Sequence, residues 1–154
     1  MKKNNLQGRF PGFEHINTYY DGMHGCEAAK ILPGEYYVTS ANECVVTVLG
    51  SCVSACVRDK VFGIGGMNHF MLPVTHSDTP KWGNSTVNVA TRYGDYAMEH
   101  LMNDIISHGG LKKNFEVKLF GGGLINQGQS DIGGKNISFV RQFLRDEGIS
   151  VVAE

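Results

Sequence analysis

Residues 44–59 read Cys44-Val45-Val46-Thr47-Val48-Leu49-Gly50-Ser51-Cys52-Val53-Ser54-Ala55-Cys56-Val57-Arg58-Asp59. The first six are short, β-branched and apolar, which suits a strand, and Gly50-Ser51 breaks the run. From Cys52 the pattern alternates. Val53, Ala55 and Val57 fall on one side, and Cys52, Ser54, Cys56 and Arg58 on the other, which is the period of a second strand. Upstream, Glu35 to Thr39 is another aromatic and β-branched run. Downstream, Gly63 to Leu72 reads as a strand ended by Pro73, and a loop rich in Ser, Thr and Asn follows at 74–86 with the single Trp82.

From about Asn88 to His108 the apolar positions Val89, Tyr93, Tyr96, Ala97, Leu101 and Ile105 recur at helical spacing, and Gly109-Gly110 stops them. Glu116 to Phe120 is a strand opening into Gly121-Gly122-Gly123. Asn136 to Asp146 is a second amphipathic helix, closed by Gly148, and Ile149 to Ala153 a last strand. Residues 1–33 show no periodicity and are expected to form an irregular arm. The expected architecture is one mixed α/β domain over 34–154.

Composition narrows the function classes. The chain has 154 residues, a net charge of −1 and 42% hydrophobic side chains. Near-neutrality argues against nucleic-acid binding, which needs a basic patch. No apolar run approaches the roughly 18 residues that cross a bilayer, and no export signal is visible, so a reducing cytoplasm is the expected compartment. Disulfides are not expected there, and each of Cys26, Cys44, Cys52 and Cys56 reads as packing or chemistry.

Cys52 stands apart because it follows a Gly-Ser break. Backbone N–H groups at such a break can point at one site, lower a thiol pKa and hold an oxyanion. His69 follows seventeen residues later, in Gly66-Met67-Asn68-His69-Phe70-Met71-Leu72-Pro73. Neighbouring antiparallel strands can bring such a pair within reach, as an activated nucleophile requires. By residue types alone His69 reads equally as a core imidazole, and the other three cysteines as small hydrophobes. A zinc set from His24, Cys26, Cys52 and His69 has no familiar ligand spacing. Gly121–Gly123 lacks a phosphate-loop continuation and reads as a packing turn.

The strings Leu49-Gly50-Ser51-Cys52-Val53, Gly66 to Pro73, Gly121–Gly123 and Lys30 to Tyr37 resemble the chemoreceptor glutamine deamidases, the CheD family of bacterial chemotaxis. The helix from Asn136 and the ending Gly148 to Glu154 are also similar, so the likeness covers nearly all of 30–154. It implies a β-sandwich core flanked by helices, similar to toxin-type cysteine deamidases. It implies hydrolysis of receptor glutamine side chains to glutamate and ammonia, with Cys52 as nucleophile and His69 as general base and acid. Gly50, Ser51 and Asn68 are the expected oxyanion or positioning residues, and no metal or cofactor is implied. The expected partners are cytoplasmic domains of chemoreceptors and a CheC-type phosphatase. A binding module with Cys52 and His69 in a docking cleft, and a related acyl transfer such as methylester hydrolysis or transglutamination, are the competing readings.

Two departures from the family pattern matter. The family's third residue is a threonine six places before the cysteine, where this chain has Val46; its threonine is Thr47. A one-residue bulge at Val46–Leu49 is expected to restore the hydroxyl's place, since a slip of one residue otherwise turns it to the other face. In that second case a backbone carbonyl or the Asn68 amide orients His69. Family chains also run past the Val-Ala-Glu ending, so the domain is expected to lack their C-terminal strands.

Overall fold

The alternation after Cys52 becomes β5 (Val53–Asp59), the central strand of a five-stranded sheet. The computed structural model describes residues 7–72, 89–124 and 131–154. Pro73 and the expected loop at 74–86 with Trp82 lie outside them. The sheet runs β3 (Tyr36–Thr39), β6 (Gly65–Asn68), β5, β7 (Phe115–Gly121) and β8 (Val151–Ala153). All neighbours are antiparallel except β7 and β8.

Register assigns each face its partner. Val57 lies opposite Gly66 and Val117, while Cys56 lies opposite Met67 and Lys118. The Val53, Ala55, Val57 face is covered by helix α1 (Val89–Ser107) and helix α2 (Ile132–Asp146), which bring Met98, Leu101, Ile105, Val140 and Leu144 into the core. Gly66 has no room for a side chain, since a Cβ would lie 2.9 Å from Leu101 and from Val38. Both helices end as the glycines foretell. Gly109 and Gly148 take positive φ, and the residue after each donates back to a carbonyl five places earlier, satisfying C-terminal acceptors. The core stripe of α1 differs from expectation. Tyr93 and Tyr96 sit exposed at the rim, and Met98 and Met102 take the buried positions.

Against the other face lies a second sheet of β1 (Asn17–Asp21), β2 (Cys26–Lys30) and β4 (Glu43–Val46), with β1 antiparallel and β4 parallel to β2. The expected irregular arm at 1–33 is thus corrected over 17–30. Glu, Ala and Lys are poor strand formers, and β2 is held instead by pairing on both sides, with Ala28 and Ala29 fully buried. Helix α2 also begins earlier than expected, because Asp131 caps it by accepting the Gly134 N–H at 2.7 Å. The two sheets are tied by Glu43, which accepts from Tyr37 and Thr39 of β3 at 2.8 and 2.6 Å and pairs with Arg9 at 2.6 Å. Burial, followed by the bond to Glu43, pushes the Tyr37 hydroxyl up to about 12.

Asp59 closes the far end of β5. Its carboxylate accepts from the backbone of Val61, Phe62 and Leu111 and from the Asn114 amide. Burial opposes the charge, but the four donors prevail and bring its pKa down to about 2. The unfolded value is about 3.9. A lowered folded pKa stabilises above the unfolded value, and the gain is lost as pH falls through the folded one. Asp59→Ala should therefore lower the thermal midpoint at neutral pH, and its deficit against wild type should narrow between about pH 4 and pH 2, followed by circular dichroism.

Candidate active site

Cys52 lies immediately before β5, half-buried, at the end of the Gly50-Ser51 break. Three consecutive carbonyls of this loop each receive a donor from the β7–α2 side. Gly123 N–H reaches Gly50 O, Asn136 Nδ2 reaches Ser51 O and Gly122 N–H reaches Cys52 O, all at 2.8 Å. Approach this close needs glycine. A Cβ on Gly121 would fall 2.2 Å from the Cys52 oxygen, and one on Gly133 would fall 2.3 Å from the Gly122 oxygen. Gly121-Gly122-Gly123 is therefore the packing turn that its sequence suggests, and what it packs against is the cysteine loop.

His69 follows β6 and is 2% exposed. Its backbone N–H donates to Glu35 O at 2.9 Å and its carbonyl accepts Gly34 N–H at 2.7 Å, so the chain is fixed on both sides of the ring. The ring's Nδ1 lies 2.7 Å from Thr47 Oγ1. That hydroxyl also donates to Ile31 O at 2.9 Å. A carbonyl can only accept, so the single hydroxyl proton is committed to Ile31, and the threonine oxygen must accept Nδ1–H. The imidazole is thereby set as the Nδ1–H tautomer. Nε2, buried and without a hydrogen-bond partner among the described residues, carries the free lone pair.

Val53 and Phe70 exchange both backbone bonds at 3.0 Å. That bridge brings the Cys52 loop alongside the His69 segment, with no hydrogen bond between the thiol and the imidazole among the described residues. Asn68 points the other way. Its Oδ1 accepts Ala55 N–H at 2.9 Å and its Nδ2 donates to Ala97 O at 3.2 Å, on the helix side. The expected place for Asn68 beside the oxyanion is thus corrected, because successive residues of a strand face opposite ways. Asn68 instead braces β6 against β5 and α1.

Thr47 meets the imidazole without the expected bulge. β4 ends at Val46, and Thr47 is the first residue beyond the ladder, free of strand alternation, with Ile31 N–H bonded to Val46 O at 2.9 Å. The thiol also differs from expectation. Burial pushes Cys52 up, and its own backbone N–H pulls it only part of the way back. Burial likewise holds His69 below the usual histidine range. The pair rests as neutral thiol and neutral imidazole, because a dry site penalises both charges.

Sequence reasoning missed Asn136. It is fully buried, and besides holding Ser51 O it accepts Leu72 N–H at 2.9 Å. The signal was present in the helix pattern: Asn136 lies in line with Val140, Phe143 and Leu144, a polar residue on the apolar stripe. Ile31 was missed too, as it acts through its backbone oxygen, which no residue type announces.

The cleft of about 530 Å³ between the sheets is lined by Glu43, Val45, Cys56, Arg58, Met67 and Lys118. Cys56 there is pushed up to about 11 by burial. Cys26 and Cys44 face each other across β2 and β4 at 2.8 Å between sulfurs. Among the described residues no three of His, Cys, Asp and Glu gather into a set that could hold a metal, and no helix is long and apolar enough to cross a membrane.

Comparison with known proteins places this geometry. A family model described as CheD chemotactic sensory transduction matches residues 71–154. A protein of Halorhodospira halophila named probable chemoreceptor glutamine deamidase CheD is 54% identical over 142 residues, covering 92% of this chain and 66% of its own length. Its namesakes in Methylobacillus flagellatus and Herminiimonas arsenicoxydans are 56% and 52% identical, over 90% and 92% of this chain and 68% and 70% of their own. The chain thus spans about two thirds of the length of these relatives. With about half of its residues shared along most of its length, the chain belongs to the CheD family.

Proposed function

We propose that the chain hydrolyses glutamine side chains in the cytoplasmic domains of chemoreceptors, giving glutamate and ammonia through a thioester on Cys52. The observation that carries this reading is the orphaned Nε2 of His69. Its tautomer is set by Thr47, it is buried, and the bridge between Val53 and Phe70 holds its segment beside the Cys52 loop. The names of the relatives supply the substrate class.

The chemistry balances as follows. Cys52 Sγ attacks the glutamine δ-carbon while Nε2 takes the thiol proton. The oxyanion is held by the Cys52 N–H at the fixed loop. His69 returns the proton to the nitrogen as the C–N bond breaks, and ammonia leaves. Water then attacks the thioester, Nε2 takes its proton, and the proton returns to sulfur as glutamate is released. Burial favours this shuttle, because an imidazole held below its usual pKa is neutral and ready to accept at neutral pH. Thiolate and imidazolium form together and stabilise each other, which offsets the burial that disfavours either alone. The receptor substrate places the enzyme in the cytoplasm, and a CheC-type phosphatase is the second partner that the family resemblance implies.

Ammonia release from a glutamine-bearing receptor fragment, with Cys52→Ala as control, tests the reading; release equal in both would overturn it. Iodoacetamide at pH 7 should label Cys52 ahead of Cys56, whose thiol is pushed up to about 11, and of the mutually bonded Cys26 and Cys44.

Thr47→Val keeps the shape but removes the acceptor for Nδ1–H. It should lower turnover about 10–100-fold, the usual cost of losing a group that orients a functional histidine, while the unfolding midpoint moves little. Thr47→Ser should keep most of the activity. The acid limb of kcat/KM should lie below the ordinary histidine pKa of about 6.5, because only neutral His69 accepts the thiol proton. A limb above that value would count against His69 as the base.

A further inference from the structure

We propose that Asn136 is a positioning residue that aims the Cys52 N–H at the reaction oxyanion and ties the nucleophile loop to the base loop. The inference rests on the deamidase reading. Asn136 sits in the first turns of α2 and touches neither Cys52 nor His69 by any of its hydrogen bonds. Its Nδ2 donates to Ser51 O at 2.8 Å, and its Oδ1 accepts Leu72 N–H at 2.9 Å. One side chain therefore bonds the residue before the nucleophile and a residue three beyond the base.

Planarity turns the first bond into an aim. Ser51 C=O and Cys52 N–H belong to one trans peptide unit, so they point in opposite directions, and fixing one fixes the other. Drawing the Ser51 oxygen towards α2 turns the Cys52 N–H away from α2. The planes on either side are fixed in the same manner, with Gly123 N–H on Gly50 O and Gly122 N–H on Cys52 O. Of these three anchors, Asn136 is the one made by a side chain, and the one that governs the amide of the nucleophile itself.

The burial of Asn136 is consistent with such a task. An amide at 0% exposure in an apolar helix stripe costs free energy unless its partners are met. Here both ends are used, and an aliphatic residue of similar size would suit the surrounding core as well. Gly133 and Gly122, one turn away, let the helix approach the loop closely enough for the amide to reach.

The test compares the full chain with Asn136→Leu, which keeps the shape, and Asn136→Asp, which keeps the acceptor for Leu72 but sets a carboxylate against Ser51 O. Cys52→Ala is the blank. Ammonia release from a glutamine-bearing helical fragment of a chemoreceptor is measured for kcat and KM separately, beside the pH profile of Cys52 alkylation by iodoacetamide. An oxyanion donor acts in the transition state, so both variants should lose about tenfold or more in kcat with KM within about twofold. Alkylation forms no oxyanion and should persist in both. Its pH profile should shift upwards, because the N–H that pulls the thiol down is turned aside. Unchanged kcat in either variant, or a loss confined to KM, would overturn the proposal. So would a loss of labelling without a shift of its profile, the mark of general loosening. If the wild type releases no ammonia, the deamidase reading fails, and the alkylation profile alone decides the aim: shifted supports it, unmoved overturns it. If Asn136→Leu loses cooperative unfolding, the same criteria apply to Asn136→Asp.

Discussion

The Thr47 hydroxyl has one proton, and Ile31 takes it. Everything at the base follows from that allocation. The threonine oxygen is left to accept, Nδ1 must donate, and Nε2 is left as the bare lone pair. Ile31 follows β2 and Thr47 follows β4, so the parallel pairing of these strands is what brings carbonyl and hydroxyl together. The small sheet is thus the part of the fold that sets the tautomer of a histidine carried by the large one. Glu43 reinforces the join from the other end of β4, gathering Tyr37, Thr39 and Arg9 on one carboxylate.

Cys52 is held by a different principle. Its loop is clamped through carbonyls, by donors that approach only because Gly121, Gly122 and Gly133 have no side chains. Geometry is fixed while the sulfur itself stays untouched by strong charge. The site is therefore dry and neutral at rest, with both members biased against ionisation by burial. Charge arises only by transfer within the pair.

The strands and helices of 35–72 and 89–154 were legible because their apolar periods are strong and their glycine stops are plain. Val53, Ala55 and Val57 face the helices as their alternation implies. The segment 17–30 was not legible, since Cys26-Glu27-Ala28-Ala29-Lys30 has little strand preference and is held by neighbours distant in sequence. The site was legible in its side chains and opaque in its backbone. Cys52 stands out by the Gly-Ser break before it, while His69 and Thr47 take their expected roles from the family resemblance. Ile31 O, Gly122 N–H and Gly123 N–H are groups that every residue carries, and Asn68 misled because its type suits an oxyanion site while its place in the strand faces the helices.

The order of strands has a kinetic consequence. β2 and β4 pair in parallel, yet the chain between them first crosses to the other sheet to form β3. The two sheets are thus interleaved along the chain. The groups that meet at the site come from positions 31, 47, 52, 69, 122 and 136, and such distant pairings carry the loop-closure entropy that slows folding. The loop that carries Cys52 is therefore fully held only once the last helix has docked and Asn136 meets the Ser51 oxygen.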